Sequence, residues 1–252
     1  MLIDTHLHLS EEPYEEIDNI INQAKLNNVN TYILGGTSVI DNDLNIEISK
    51  HYQGMYLTLG YHPSEANDIS LKDINLLKTQ LKQNSKVVAI GEIGLDYHYD
   101  NIDKEKQKEL FKMQLQIAQD YDLPVVIHMR DATSEVLEIL KAYQVKGVFH
   151  CFSGSLETAK EIIKMGFYLG IGGVVTFSNS NLKKIVKELS LDHIVLETDS
   201  PYLSPSRGKK NNPANIKIIA QYLADLKEIS LEEVTAITTR NATSLFDLKN
   251  HL

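Results

Sequence analysis

His6 and His8 close the first apolar run, Leu2-Ile3-Asp4-Thr5-His6-Leu7-His8. In a strand, residues i and i+2 point to the same side, so the two imidazoles converge and can ligate one metal ion. An alternating strand that merely contains two histidines is the competing reading of the pair, and the ends of the later apolar runs decide between the two. The third run ends Gly60-Tyr61-His62-Pro63, the fourth Gly91-Glu92-Ile93-Gly94-Leu95-Asp96, and the fifth His128-Met129-Arg130-Asp131. The sixth ends Phe149-His150-Cys151, and the eighth Glu197-Thr198-Asp199-Ser200-Pro201. Gathered without a cation, so many imidazoles and carboxylates would bury like charges and unpaired polar groups. A metal centre makes them mutually favourable.

The ligand count suggests two ions. His6, His8 and Asp199 can hold one, and His128 and His150 the other, with Glu92 arriving between them as a bridge. Such pairs activate a water and clamp both the entering and the leaving oxygen of a phosphoryl transfer. Nitrogen-rich ligands favour zinc or manganese, while open positions suit magnesium if the substrate supplies phosphate oxygens. Asp199 is placed to orient the attacking water and accept its proton.

The neighbouring residues carry two readings each. Glu197 lies two before Asp199 and points into the same interior, either supporting a ligand or forming a buried ion pair. His62 reads as a phosphate contact or proton donor, or else as a loop histidine. Arg130 follows His128 by two and can reach a substrate phosphate, or form a salt bridge with Asp96 or Asp131. Tyr97 and Tyr99 flank the fourth run's exit and could stack a base. Cys151 reads as a small hydrophobe, and His51, His98, His193 and His251 as surface or loop residues.

The elements that position these groups follow from the apolar pattern. Strands are expected at Leu2–Thr5, Val29–Gly35, Met55–Tyr61, Val87–Gly91, Pro124–Met129, Gly147–Phe152, Phe167–Gly172 and Ile194–Asp199. Helical spacing separates them, as in Ile17, Ile20, Ile21, Ala24 and in Leu110, Met113, Ile117, Ala118. Helices are expected again over Pro213–Leu226 and Leu231–Leu248. The strand runs are almost continuously apolar, as parallel strands covered on both faces must be. Eight such units in 252 residues predict a (β/α)8 TIM barrel. In that fold every strand end named above lies on the C-terminal face, where active sites are built. A doubly wound sheet would normally show a glycine-rich turn after its first strand, where this chain has His-Leu-His. No repeat, low-complexity tract or linker divides the sequence, so residues 1–252 are read as a single domain.

Composition sets the outer bounds. Hydrophobic residues make up 42% and charged residues 23%, ordinary values for a globular chain. No run is long enough to span a membrane, the N-terminus has no signal-peptide pattern, and Cys151 is the single cysteine. A cytoplasmic protein with no obligate protein partner is expected. The net charge of −9 argues against electrostatic coating of nucleic acid. It leaves a nuclease possible, because bound cations supply positive charge where phosphate must sit.

Taken together, the motifs resemble the TatD family of metal-dependent deoxyribonucleases. They are Asp4-Thr5-His6-Leu7-His8-Leu9, Gly60-Tyr61-His62-Pro63, Gly91-Glu92-Ile93-Gly94-Leu95-Asp96, Ile127-His128-Met129-Arg130, His150-Cys151-Phe152-Ser153-Gly154 and Glu197-Thr198-Asp199-Ser200-Pro201-Tyr202-Leu203. The likeness runs in order along nearly the whole chain. It implies a (β/α)8 barrel, a divalent-metal site and hydrolysis of DNA phosphodiester bonds, often from the 3′ end. It also implies the same six ligands: His6, His8, Glu92, His128, His150 and Asp199. Single-stranded or frayed ends are the expected substrate.

Two positions depart from the family pattern. Ser64 stands where a further histidine often follows His-Pro. Asn212 replaces the acid of Asn-Glu-Pro after Arg207-Gly208-Lys209-Lys210, which removes an expected loop-ordering or helix-entry contact. The basic loop follows the eighth strand, so Arg207, Lys209 and Lys210 are expected to attract a nucleic-acid backbone. The alternative activity is cleavage of an amide or ester, in a small molecule or an aminoacyl substrate, by the same metal chemistry, because a fold does not fix its substrate.

Overall fold

The computed structural model describes residues 1–10, 12, 14–98, 101, 103–206 and 208–248. Eight parallel strands form one sheet in sequence order. They are β1 Leu2–Leu7, β2 Val29–Gly35, β3 Met55–Leu59, β4 Val87–Asp96, β5 Val125–Arg130, β6 Gly147–Phe149, β7 Tyr168–Ile171 and β8 Ile194–Leu196. The helices between and after them are α1 Tyr14–Leu26, α2 Val39–His51, α3 Leu71–Gln83, α4 Lys104–Asp120, α5 Thr133–Leu140, α6 Leu156–Lys164, α7 Leu182–Glu188, α8 Ile216–Lys227 and α9 Leu231–Leu245. This order and alternation define the (β/α)8 TIM barrel class. No helix among the described residues is long and apolar enough to cross a membrane.

The strand bounds differ from expectation mainly at the C-terminal ends. β4 runs past the expected end at Gly91 through Asp96, while β3, β6 and β8 stop early, at Leu59, Phe149 and Leu196. His62, His150 and Asp199 therefore sit beyond their ladders. Cys151 (φ 46°) and Asp199 (φ 54°) adopt left-handed backbone, which a parallel ladder cannot continue through.

Residues 1–34 and 151–244 form one compact unit. In it β1 pairs with β2, β7 pairs with β8, and a parallel bridge joins Leu7 to Ser200. Ile17, Ile20, Ile21 and Ala24 of α1 are all buried, as their spacing predicts. The helix expected from Pro213 opens as a short 3-10 turn, Pro213–Asn215, before α8. α8 packs on β1 and β8 and buries Ile216, Ile219, Ala220, Leu223 and Ala224.

Residues 35–150 and 245–252 form the second unit. β3, β4, β5 and β6 pair in order within it, and α4 packs on β4. Asp103 caps α4 by accepting from the Glu105 and Lys106 amides. The buried face of α4 carries Leu110, Phe111, Leu115, Ile117 and Ala118 together with Gln107 and Gln114. Met113, expected on that face, is exposed, because its position on the helix falls outside the buried arc. Gly94 must be glycine: φ is +148°, and a Cβ there would lie 1.9 Å from the His128 carbonyl oxygen.

Candidate metal centre

In the first unit, backbone bonds stitch the exits of β1 and β8 together. Asp199 N–H donates to His6 O at 2.9 Å, His8 N–H to Ser200 O at 2.8 Å, and Thr5 Oγ1 to Leu196 O at 3.0 Å. Asp4 shares a strand face with His6 and His8. Its fully buried carboxylate accepts from the Thr198 amide (2.9 Å) and the Thr198 hydroxyl (2.6 Å), anchoring the residue beside Asp199. Burial pushes the Asp4 carboxyl up to about 7, opposed by the hydrogen bonds from Thr198 and His6.

This stitching brings three donor atoms together. His6 Nε2 and His8 Nε2 lie 3.1 Å apart, and Asp199 Oδ1 lies 3.8 Å from the first and 3.4 Å from the second. Two facing imidazole nitrogens and a carboxylate oxygen fit a divalent cation. Just after β8, Glu197 is completely buried and accepts the Cys151 N–H through Oε1. Glycine at 170 makes room for it, since a Cβ there would lie 2.2 Å from Glu197 Oε2. Glu197 thus holds the backbone just after His150. Cys151 itself is half-buried.

In the second unit, Glu92 Oε1 lies 2.7 Å from His128 Nδ1 and 2.8 Å from His150 Nε2, and those two nitrogens are 3.3 Å apart. Glu92 and His150 are buried, and Glu92 N–H donates to Gly36 O at 2.6 Å. This carboxylate and two imidazoles again fit a divalent ion. The far nitrogen of His128, Nε2, faces Asp96 Oδ2 at 3.0 Å. Asp96 Oδ1 accepts the His98 amide at 2.9 Å. Burial alone would raise the Asp96 carboxyl. The hydrogen bonds from His128 and the His98 amide, helped by the charges of His128 and Arg130, bring it below the usual range. A carboxylate behind a ligating histidine fixes its ring and tautomer.

His62 lies beside this set, with Nε2 3.6 Å from Glu92 Oε1 and its ring edge-on to His128. Its Nδ1 accepts the Ser64 amide at 3.1 Å and lies 2.8 Å from the Ser64 hydroxyl, which leaves the proton on Nε2. Burial, partly offset by Glu92, lowers His62 to about 4, so the ring is neutral at pH 7. It can donate one hydrogen bond from Nε2.

Two buried glutamines of α4 hold the loop ends. Gln107 accepts the Asp96 N–H (2.9 Å) and donates to Asp96 O (2.8 Å). Gln114 does the same for Tyr61, at 2.7 and 2.9 Å. The sequence did not single out these glutamines, nor the roles of Asp4 and Thr198. Asp96 was read only as a possible partner of Arg130. Polar residues on the apolar face of α4 were the available signal for the glutamines.

The remaining candidates are more dispersed. Arg130 is exposed at the end of β5, and Asp131 pairs with His98 at 3.6 Å. One face of Tyr97 is covered by the Lys104 ammonium, 4.4 Å from the ring centroid, so that face is closed to a base. Lys209 and Lys210 are exposed, and Lys210 is ion-paired with Glu12. Arg207, Tyr99 and His251 lie outside the described residues. His51 is exposed at the end of α2, while His193 is partly buried against Tyr168. The helix-entry contact expected to be lost at Asn212 is present: its side chain accepts the Ala214 amide at 2.9 Å, which an amide oxygen does as well as a carboxylate.

The chain matches the family model for TatD-related DNases over residues 3–247. It is 44% identical to the uncharacterised metal-dependent hydrolase YabD of Bacillus subtilis, covering 98% of this chain and 99% of that one. A mouse relative named "Putative deoxyribonuclease TATDN3" is 34% identical, over 97% of this chain and 88% of that one. Among solved structures, the TatD homologue YJJV of Escherichia coli superposes with a TM-score of 0.92 at 30% identity, covering 98% of each chain. A TatD family hydrolase of Entamoeba histolytica gives a TM-score of 0.89 at 27% identity, covering 97% of each. With two donor sets suited to divalent ions on a (β/α)8 scaffold, the chain belongs to the TatD family of metal-dependent hydrolases.

Proposed function

We propose that the chain is a deoxyribonuclease that removes nucleotides from the 3′ end of single-stranded or frayed DNA in the cytoplasm, using two divalent ions and acting as a single domain. The observation that carries this reading is the pair of convergent donor sets, each with two imidazole nitrogens and one carboxylate oxygen. His6, His8 and Asp199 would hold one ion, and Glu92, His128 and His150 the other, with magnesium, manganese or zinc all compatible. When bound, the ions supply Lewis acidity and lower the pKa of water.

The protein's own residues do the rest. Asp199 takes the proton of the attacking water. His62, neutral and protonated on Nε2, donates to a phosphoryl oxygen or to the leaving group. Arg130 adds charge on the phosphate side, and Arg207, Lys209 and Lys210 draw in the backbone. Asp96 and Glu197 keep the ligands in place. The support for DNA is the family match together with the name of the mouse relative.

The test is digestion of 3′- and 5′-labelled oligonucleotides by metal-replete protein, alongside metal analysis. Stepwise loss from the 3′ end, abolished by EDTA and by Asp199→Asn, is expected. Turnover of an ester or aminoacyl substrate with no DNA cleavage would replace this reading with the small-molecule one.

A further inference from the structure

Asp199 stands in a backbone conformation that needs support from its neighbours. Its φ of 54° is left-handed, a region that residues other than glycine enter at a cost. The residue before it, Thr198, is completely buried, and its hydroxyl is a hub. The single hydroxyl proton goes to Asp4 Oδ2, at 2.6 Å. The hydroxyl oxygen accepts the Ser200 N–H at 3.2 Å, a bond from two residues on that closes a turn around Asp199, and lies 3.0 Å from Ser200 Oγ. Asp4, also fully buried, holds the other end. Its Oδ1 accepts the Thr198 N–H at 2.9 Å and the His6 N–H at 3.4 Å. One carboxylate therefore grips both the backbone of β1 at His6 and the backbone that leads into Asp199. The outcome of this bracing is the place of Asp199 Oδ1, 3.4 Å from His8 Nε2.

We propose that Thr198 is a positioning residue for the first ion: its hydroxyl, anchored on Asp4, holds Asp199 in the left-handed turn that aims the carboxylate at His6 and His8. The inference rests on the two-ion reading above and deepens it by assigning control of the first ion's affinity to a residue outside the donor set. Continuity of the hydrogen bonds matters here, and the charge of Asp4 does not. Asp4→Asn keeps an oxygen for the two amides and turns an NH2 toward Thr198 Oγ1, which then gives its own proton to Ser200 Oγ. The chain of bonds survives with its direction reversed. Thr198→Val keeps the shape of threonine and breaks the chain on both sides, because Asp4 Oδ2 loses its donor and the Ser200 N–H its acceptor.

The experiment titrates Mn²⁺ calorimetrically into metal-free wild type, Asp4→Asn, Thr198→Ser and Thr198→Val. His8→Ala identifies the binding event that belongs to the first set. Thr198→Val is expected to weaken that event by about 10- to 100-fold, the loss typical when a group supporting a metal ligand is removed. The other event stays at its wild-type affinity. Thr198→Ser, which keeps the hydroxyl, and Asp4→Asn, which keeps the chain of bonds, both stay close to wild type on both events. Thr198→Ala removes the same hydroxyl and takes the place of Thr198→Val if the latter does not fold. An unchanged first event in the variant without the hydroxyl overturns the inference alone. So does a loss in Asp4→Asn as large as in Thr198→Val, which makes charge the agent, and so does equal weakening of both events, the mark of general loosening. A wild type with no event that His8→Ala removes overturns the two-ion reading, and this inference with it.

Discussion

Asp96→Asn tests whether the carboxylate behind His128 governs metal affinity. Asp96 accepts twice, from the His98 amide at 2.9 Å and from His128 Nε2 at 3.0 Å. Asparagine has the same shape but accepts through one atom and donates through the other. In either orientation its NH2 faces a donor, the His98 amide or the His128 Nε2–H. Relief at His128 requires moving the ring proton to Nδ1, the nitrogen that faces Glu92 and His150. That move removes a lone pair from the ion site. Losing a charge-assisted bond costs about 1.5–3 kcal/mol. This agrees with the roughly 10–100-fold affinity loss typical when the partner of a ligating histidine is replaced. Calorimetric titration of Mn²⁺ into metal-free protein should show two binding events, with one weakened by that factor in Asp96→Asn and the other unchanged. Two events within twofold of wild type, in a variant with unaltered circular dichroism, would refute the assignment.

Three further outcomes follow from other contacts. Gln114→Met leaves the buried Tyr61 N–H and C=O unpaired and should destabilise by about 2–4 kcal/mol in urea unfolding. Gly94→Ala places a Cβ against the His128 carbonyl at a φ reserved for glycine, and should cost roughly 3 kcal/mol or more and weaken metal binding. Asp73, near the start of α3, accepts from the Ser70 hydroxyl and amide, which lower its carboxyl below the ordinary value. A depressed carboxyl stabilises above its unfolded pKa near 4 and loses that contribution as pH falls through the folded value. Asp73→Ala should therefore cost about 0.5–1 kcal/mol at pH 7, with the gap to wild type closing as pH falls through the lowered folded value. Thermal denaturation at stepped pH measures it.

The strands, and the convergence of the candidate ligands within each set, were legible because each rests on a local rule. Apolar runs mark buried parallel strands, and the spacing of His6 and His8 fixes a shared face. Contacts between residues far apart in sequence were not legible. Nothing local to Asp96 says that its carboxylate meets His128, because that depends on how β4 and β5 align, and β4 is longer than its apolar run suggested. The glutamines of α4 were hidden for the converse reason. A polar residue on an apolar helix face is noticeable, but its partner is a backbone that only tertiary packing brings near. Asn212 shows the limit of pattern comparison: loss of an acid looked like loss of a cap, whereas only the acceptor oxygen matters there.

The stitching of β1 to β8 also bears on when the protein can take up metal. The bond that anchors Asp199 beside the first histidine pair, Thr198 to Asp4, closes a loop of 194 residues. The second ligand set closes separations of only 36 residues, from Glu92 to His128, and 22, from His128 to His150. Loop-closure entropy makes the longer connection dearer by about 1.5 kcal/mol. It also cannot form until the segment carrying Asp199 has left the ribosome. A nascent chain released after β6 would already hold Glu92, His128 and His150, whereas His6 and His8 wait for the last strand. If both sets hold ions, the second could be complete before the segment carrying Asp199 emerges, and the first could not.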